Sequence, residues 1–160
     1  EKGNPPTKFK SLFEKAIEEG FLTVAHAGEE GPPEYIWDSI NLLKVKRIDH
    51  GVQCLRDEKL VNRLKKDQIP LTVCPLSNIK LCVFDKLENH NLKQMLDKGL
   101  RAMVNSDDPA YFGGYLNKNL IDTANALNLE LNHVKILIKN SFKSSFLDEK
   151  TKNEWLKKIN

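Results

Sequence analysis

Apolar residues along this chain alternate between two periods. Short apolar runs of β-like composition occur at 21–25, 45–48, 69–73 and 101–104, and each predicts a buried strand. Between them, apolar residues recur at helical spacing. Phe9, Leu12, Phe13, Ala16 and Ile17 predict a helix that Thr7 caps and Gly20 ends. After a loop rich in breakers (Gly28, Gly31, Pro32, Pro33), Ile36, Ile40 and Leu43 line a second helix. Asp57 caps a short third helix carrying Leu60, Val61 and Leu64, and Pro75 stops the strand that follows. Residues 80–88 have no readable period. Leu92, Met95 and Leu96 mark a helix closed by Gly99, and residues 116–127 another after Gly113-Gly114. Two amphipathic helices, 130–142 and 148–159, complete the chain and read as capping or packing elements.

Strand followed by helix, repeated every 20 to 30 residues, is the beat of a parallel barrel. A complete (β/α)8 barrel takes about 250 residues. The 160 residues here accommodate four βα units and terminal helices. The expectation is therefore an α/β fold, half of a (β/α)8 TIM barrel, with residues 1–160 in a single domain and residues 130–160 as its capping helices.

Composition narrows the partners. The net charge is +3 with 29% charged residues, and the lysines at 150–158 read as a solvated helix face. The basic and aromatic residues are not interleaved in the stripe that single-stranded nucleic acid requires. No run of 18 apolar residues predicts a membrane span, and no charged-then-apolar start predicts a signal peptide. Nucleic-acid and membrane partners are not expected. Three cysteines, Cys54, Cys74 and Cys82, form an odd set without CxxC spacing, which fits a reducing, cytoplasmic setting. Cys74 reads as a small buried thiol.

The chemistry gathers where the strands end. The four blocks are LTVAHAGE (22–29), RIDHG (47–51), LTVCPLSN (71–78) and AMVNSDDP (102–109). They hold two His, one Glu and three Asp at the C-terminal strand ends, where barrel enzymes carry their active sites. His26 alone would pass for a hydrogen-bonded structural residue, but Gly28 lets the backbone turn so that His26 and Glu29 can face one cavity. His50, between Asp49 and Gly51, can equally be a loop histidine held by a carboxylate. Asp107 and Asp108 repel one another unless a cation or donor separates them. Their alternative is a helix N-cap ahead of Pro109. His90 and His133 lie away from the strand ends and read as surface residues. Glu30 and Glu34 favour the start of the next helix through its dipole. An imidazole and a carboxylate as metal ligands, a second imidazole and a Glu acid/base suit metal-assisted hydrolysis.

The blocks HAGE (26–29), DHG (49–51), CPLSN (74–78) and NSDDP (105–109) together resemble the C-terminal half of the adenosine/adenine deaminase family. The resemblance runs through nearly all of residues 3–130, in the family's order and spacing. It implies a zinc-dependent (β/α)8 barrel that hydrolyses the 6-amino group of a purine. By that resemblance His26 and Asp107 are zinc ligands, Glu29 protonates purine N1, and His50 orients and deprotonates the attacking water. Asp108 contacts purine N7, and with Gly28 makes up the substrate-binding pair.

RIDHGV (47–52), EEGPPEYIW (29–37) and AYFGGYLN (110–117) look like the branch that uses free adenine. Asp49 is then a candidate acceptor for the imidazole N–H of the base, or only an orienting group for His50. The family's His-x-His motif after strand one, a source of two further zinc ligands, is not in this sequence. Strands one to four are expected upstream of Glu1, and a complementary N-terminal half is expected as a partner. The activity implied is hydrolysis of adenine to hypoxanthine and ammonia in purine salvage. The alternatives are an adenosine deaminase, another amidohydrolase, or an isolated non-catalytic fragment.

Overall fold

Residues 1–159 are described by a computed structural model. All four expected strands form: β1 (Val24–Ala27), β2 (Arg47–His50), β3 (Leu71–Val73) and β4 (Ala102–Val104). They are parallel and lie in sequence order, β1-β2-β3-β4. In the register, Val24 lies opposite Arg47, His26 opposite Asp49 and Ile48 opposite Leu71.

Every strand begins later than the apolar runs predict. Phe21 and Leu22 remain outside β1 and are exposed. The inter-strand bonds start only where Lys46 N–H donates to the Thr23 carbonyl. Ladder geometry defines the strands, and it carries polar residues into them: His26 and His50 are strand residues, not loop residues.

The helices are α1 (Lys10–Glu18), α2 (Pro33–Asn41), α3 (Glu58–Asp67), α4 (Pro75–Lys80), α5 (Leu92–Asp97), α6 (Pro109–Phe112), α7 (Leu116–Ala126), α8 (Leu131–Ser144) and α9 (Glu149–Leu156). Asp57 caps α3 as expected, its Oδ1 accepting from the amides of Lys59 and Leu60. Its Oδ2 accepts from Trp37 Nε1 at 2.8 Å. Thr7 does not cap α1. It lies inside a 3₁₀ turn, Pro6–Phe9, because consecutive prolines 5 and 6 hold the entry geometry first. The sequence reading missed α4. It is six residues long and starts at the proline that stops β3.

The chain divides into two compact units: Glu1–Thr72 with Lys98–Arg101, and Val73–Asp97 with the residues from Ala102 on. In the first, Ile36, Ile48, Leu60, Leu64 and Leu71 are fully buried. Parallel strands covered on both faces are expected to be this apolar. By contrast α1 buries none of its residues, and Phe9, Leu12 and Ile17 beside or within it are exposed. In the second, Leu92, Met95, Ala102 and Leu137 form the core. The Asn140 side chain of α8 donates to the Ala102 carbonyl of β4 at 2.7 Å. That bond satisfies a buried carbonyl and fixes a terminal helix on the strand that leads to Asp107. The last residue of the expected 130–160 capping segment lies outside the described residues. Among the described residues, no helix is long and apolar enough to cross a membrane.

Candidate active site

In the first unit β1 and β2 bring His26, Glu29 and His50 together. The rings of His26 and His50 are 5.0 Å apart, centroid to centroid, and His50 Nδ1 lies 3.2 Å from Glu29 Oε1. The histidine and the glutamate of that pair are almost wholly buried, with 2% and 8% of their side chains exposed. A buried ionisable pair in contact can hold one proton between two sites, which suits proton transfer.

His26 differs. Its side chain is 60% exposed, and its Nδ1 lies 3.6 Å from Asp49 Oδ2. The register explains the contact, since Asp49 is the residue directly opposite His26 on the neighbouring strand. Asp49 is also 3.6 Å from Arg47 Nε and accepts a hydrogen bond from the Thr72 hydroxyl. Asp49, expected as an acceptor for the purine or as an orienting group for His50, lies beside the side chains of His26, Arg47 and Thr72. A carboxylate at Nδ1 fixes the ring of a metal-binding histidine and directs Nε2 outward. His26 therefore fits a metal ligand.

The turn after β1 requires glycine at position 28. Its φ is +72°, and a Cβ there would run into the side chain of Ile36. The chain then reverses sharply enough to return Glu29 to His50. Three groups grip this turn, and none is visible in the sequence. The Glu1 carboxylate accepts from the amides of Glu29 (3.1 Å), Glu30 (3.0 Å) and Gly31 (2.7 Å). Burial works against the charge on Glu1, but these amide bonds hold its carboxyl below the usual range. The Gln53 side chain donates to the Glu29 carbonyl at 3.0 Å, and its backbone amide donates to the Gly28 carbonyl at 2.9 Å. Contacts spanning 24 to 30 residues leave no local pattern from which they could be read.

In the second unit Asp107 and Asp108 follow β4. Asp107 is exposed and has a left-handed backbone, φ +57°. Asp108 Oδ1 accepts from the amides of Ala110 and Tyr111, so it caps α6. The N-cap alternative thus holds for Asp108, and its Oδ2 takes no part in the cap. His50 shares the left-handed conformation of Asp107, with φ +69°. Non-glycine residues in this region are uncommon and cluster at functional sites. A neutral imidazole and a carboxylate make an N/O donor pair of the kind zinc accepts.

His90 overturns its reading as a surface residue. It is buried, with 3% of its surface exposed. Its Nε2 lies 3.1 Å from the side-chain oxygen of Asn78 in the CPLSN block, and its Nδ1 accepts from the Leu92 amide at 3.0 Å. Phe84 packs on the ring at 4.5 Å. Nδ1 must stay unprotonated to accept, and burial pulls the pKa down to about 4. The unfolded chain, titrating near 6.5, binds the extra proton first as pH falls. The native state therefore keeps this stabilisation above pH 6.5 and loses it between about 6.5 and 4. The full loss is on the order of 3 kcal/mol. Urea midpoints at pH 7 and pH 5 should converge for His90→Gln relative to wild type. An unchanged difference between the two proteins would refute the assignment.

A family model for adenosine deaminase matches residues 1–160. An adenine deaminase of Acinetobacter baylyi is 55% identical over 160 residues, which is 100% of this chain and 48% of that protein. One from Crocosphaera subtropica is 61% identical over 154 residues, 96% of this chain and 47% of that protein. The crystal structure of an adenine deaminase from Arthrobacter aurescens superposes with a TM-score of 0.98 at 47% identity, covering 99% of this chain and 49% of its own. An amidohydrolase from B. ambifaria, solved with bound Zn, superposes at 0.92 with 26% identity, covering 99% of this chain and 45% of its own. The chain spans about half the length of the curated relatives it matches. The α/β expectation and the four parallel βα units of half a barrel agree with these superpositions.

Proposed function

Because the chain belongs to the adenosine deaminase family, we propose that it is the C-terminal half of a barrel enzyme that hydrolyses adenine to hypoxanthine and ammonia. The observation that carries the reading is the buried contact between Glu29 and His50, 3.2 Å from oxygen to nitrogen. Hydrolysis at C6 needs a proton removed from water and a proton delivered to N1, so that the ring accepts the new C–O bond. His50 takes the first and Glu29 gives the second. Their contact lets the proton return from imidazole to carboxylate before the next turnover. The C6–N6 bond then breaks as the proton of the new C6 hydroxyl passes to N6, so that the oxygen becomes the carbonyl of hypoxanthine and the amine leaves as ammonia.

Zinc is the metal we assign, held by His26 and Asp107 together with ligands from the upstream half. When bound, it supplies an activated water beside C6. Asp49 holds the His26 ring, and Asp108 presents its Oδ2 to purine N7 while Oδ1 caps α6. The glycine at 28 brings backbone close enough to line the base. The exposed apolar side chains of Phe9, Leu12 and Ile17 and the edge strand β1 form the surface that the upstream half covers. A reducing cytoplasm suits Cys54, Cys74 and Cys82, none of which is in a disulfide among the described residues.

The names of the similar proteins and the AYFGGYLN block favour adenine over adenosine. A polar group shaped to a base N–H rejects an analogue that lacks it by about 10²-fold or more. In the assembled enzyme, kcat/KM for adenine should exceed that for adenosine by at least that factor. Equal or better use of adenosine would move the assignment to the nucleoside.

A further inference from the structure

Glu29 carries its chemistry on a turn that has no regular secondary structure. A loop of this kind samples many conformations unless side chains elsewhere hold its backbone. Its position is nevertheless over-determined. Both peptide groups flanking Glu29 are taken by side chains, its amide by Glu1 and its carbonyl by Gln53. The next two amides, of Glu30 and Gly31, go to the second oxygen of the same Glu1 carboxylate. One anion thus absorbs three consecutive N–H groups that point to one centre. Bonds from amides to an ionised acceptor are about twice as strong as neutral ones.

We propose that Glu1 is a positioning residue for the reaction, acting with Gln53 to hold the backbone of Glu29 so that its carboxyl stays against His50. The inference rests on the deaminase reading for its catalytic part, and on the hydrogen-bond geometry alone for its structural part. The bonds of Glu1 and Gln53 go to the backbone of the turn that carries Glu29, so each is placed to act through Glu29. Freeing the turn displaces a proton donor whose efficacy depends on placement within about 0.5 Å. A misplacement of about 1 Å can cost about 10²-fold in rate.

The test uses the full-length, zinc-loaded protein with its upstream half, and the variants Glu1→Ala, Glu1→Gln and Gln53→Ala. Backbone amide exchange reads the structural part. In Glu1→Ala, exchange of the amides of residues 29–31 should accelerate while the helix 58–67 keeps its protection. Unchanged exchange at 29–31 would overturn the proposal whether or not the enzyme turns over adenine. Kinetics read the catalytic part at a temperature well below unfolding. Glu1→Ala should lower kcat by about ten- to a hundredfold with KM changed less than about threefold. Glu1→Gln keeps one carbonyl acceptor and should retain an intermediate rate, and it serves if the alanine variant does not fold. In a Glu29→Gln background, Glu1→Ala should change the residual kcat by less than about twofold, because the group it positions is gone. An equal loss in both backgrounds would make Glu1 a general stabiliser and defeat the proposal. Failure of the wild type to deaminate adenine would remove the deaminase reading, and the exchange result would still decide whether Glu1 clamps the turn.

Discussion

Replacing Glu29 by glutamine is expected to lower kcat by about 10²- to 10⁴-fold, the range for loss of a general acid, while the base still binds. The glutamine side chain has almost the same size and still presents an oxygen toward His50 Nδ1, now 3.2 Å from Glu29 Oε1. Burial and packing therefore change little. What disappears is a proton that can be given to N1 when the ring gains electron density. That interaction exists only in the transition state, so its loss falls on kcat and leaves KM nearly untouched. His50→Asn should give a loss of similar order, and the double variant should lose little more than either alone, because the two groups act as a unit. Steady-state kinetics on the full-length enzyme decide this. Near-normal turnover by Glu29→Gln would remove it from the proton path, and additive losses would separate the pair.

The second large effect concerns the metal. Full-length wild type should hold about one zinc per site after exhaustive dialysis, measured by elemental analysis. Asp107→Ala should hold only a small fraction of that. It removes the carboxylate ligand and leaves His26 as the one assigned ligand on this chain. Asp49→Asn should weaken metal binding by about 10- to 100-fold, the range for loss of the group that orients a histidine ligand. It should do so without removing a ligand. The 160-residue chain by itself should retain zinc poorly, since a zinc site needs about four ligands, some of them from solvent or substrate, and two are assigned here. Stoichiometric zinc in the isolated chain, or full retention by Asp107→Ala, would place the metal on other residues.

Much of this was legible before the structure. The helical spacing of Ile36 and Ile40, the cap at Asp57 and the four apolar runs each record a local rule, and local rules survive in any context. Glu29, His50 and Asp107 stood out because charged groups at the ends of buried strands are hard to place without a task. Other features were hidden for reasons equally physical. Glu1 meets the turn at 29–31 only through tertiary folding. Asp49 faces His26 because of strand register, which no single segment encodes. His90 sits among polar and charged neighbours in the sequence, yet a backbone amide and Asn78 satisfy both its nitrogens, so it can be buried neutral. The shifted strand ends follow from a hydrogen-bond ladder that starts after the apolar residues do.

The left-handed backbones of His50 and Asp107 bear on laboratory evolution. Side chains other than glycine are strained at such angles, by roughly 1 kcal/mol or more. A library of this enzyme screened only for heat tolerance should therefore enrich glycine or asparagine at position 107, which is exposed, whereas at position 50 the loss of a buried ring outweighs the relief. Those survivors would express well and be inert. A campaign to harden the protein should hold both positions fixed and spend its diversity on the exposed helices.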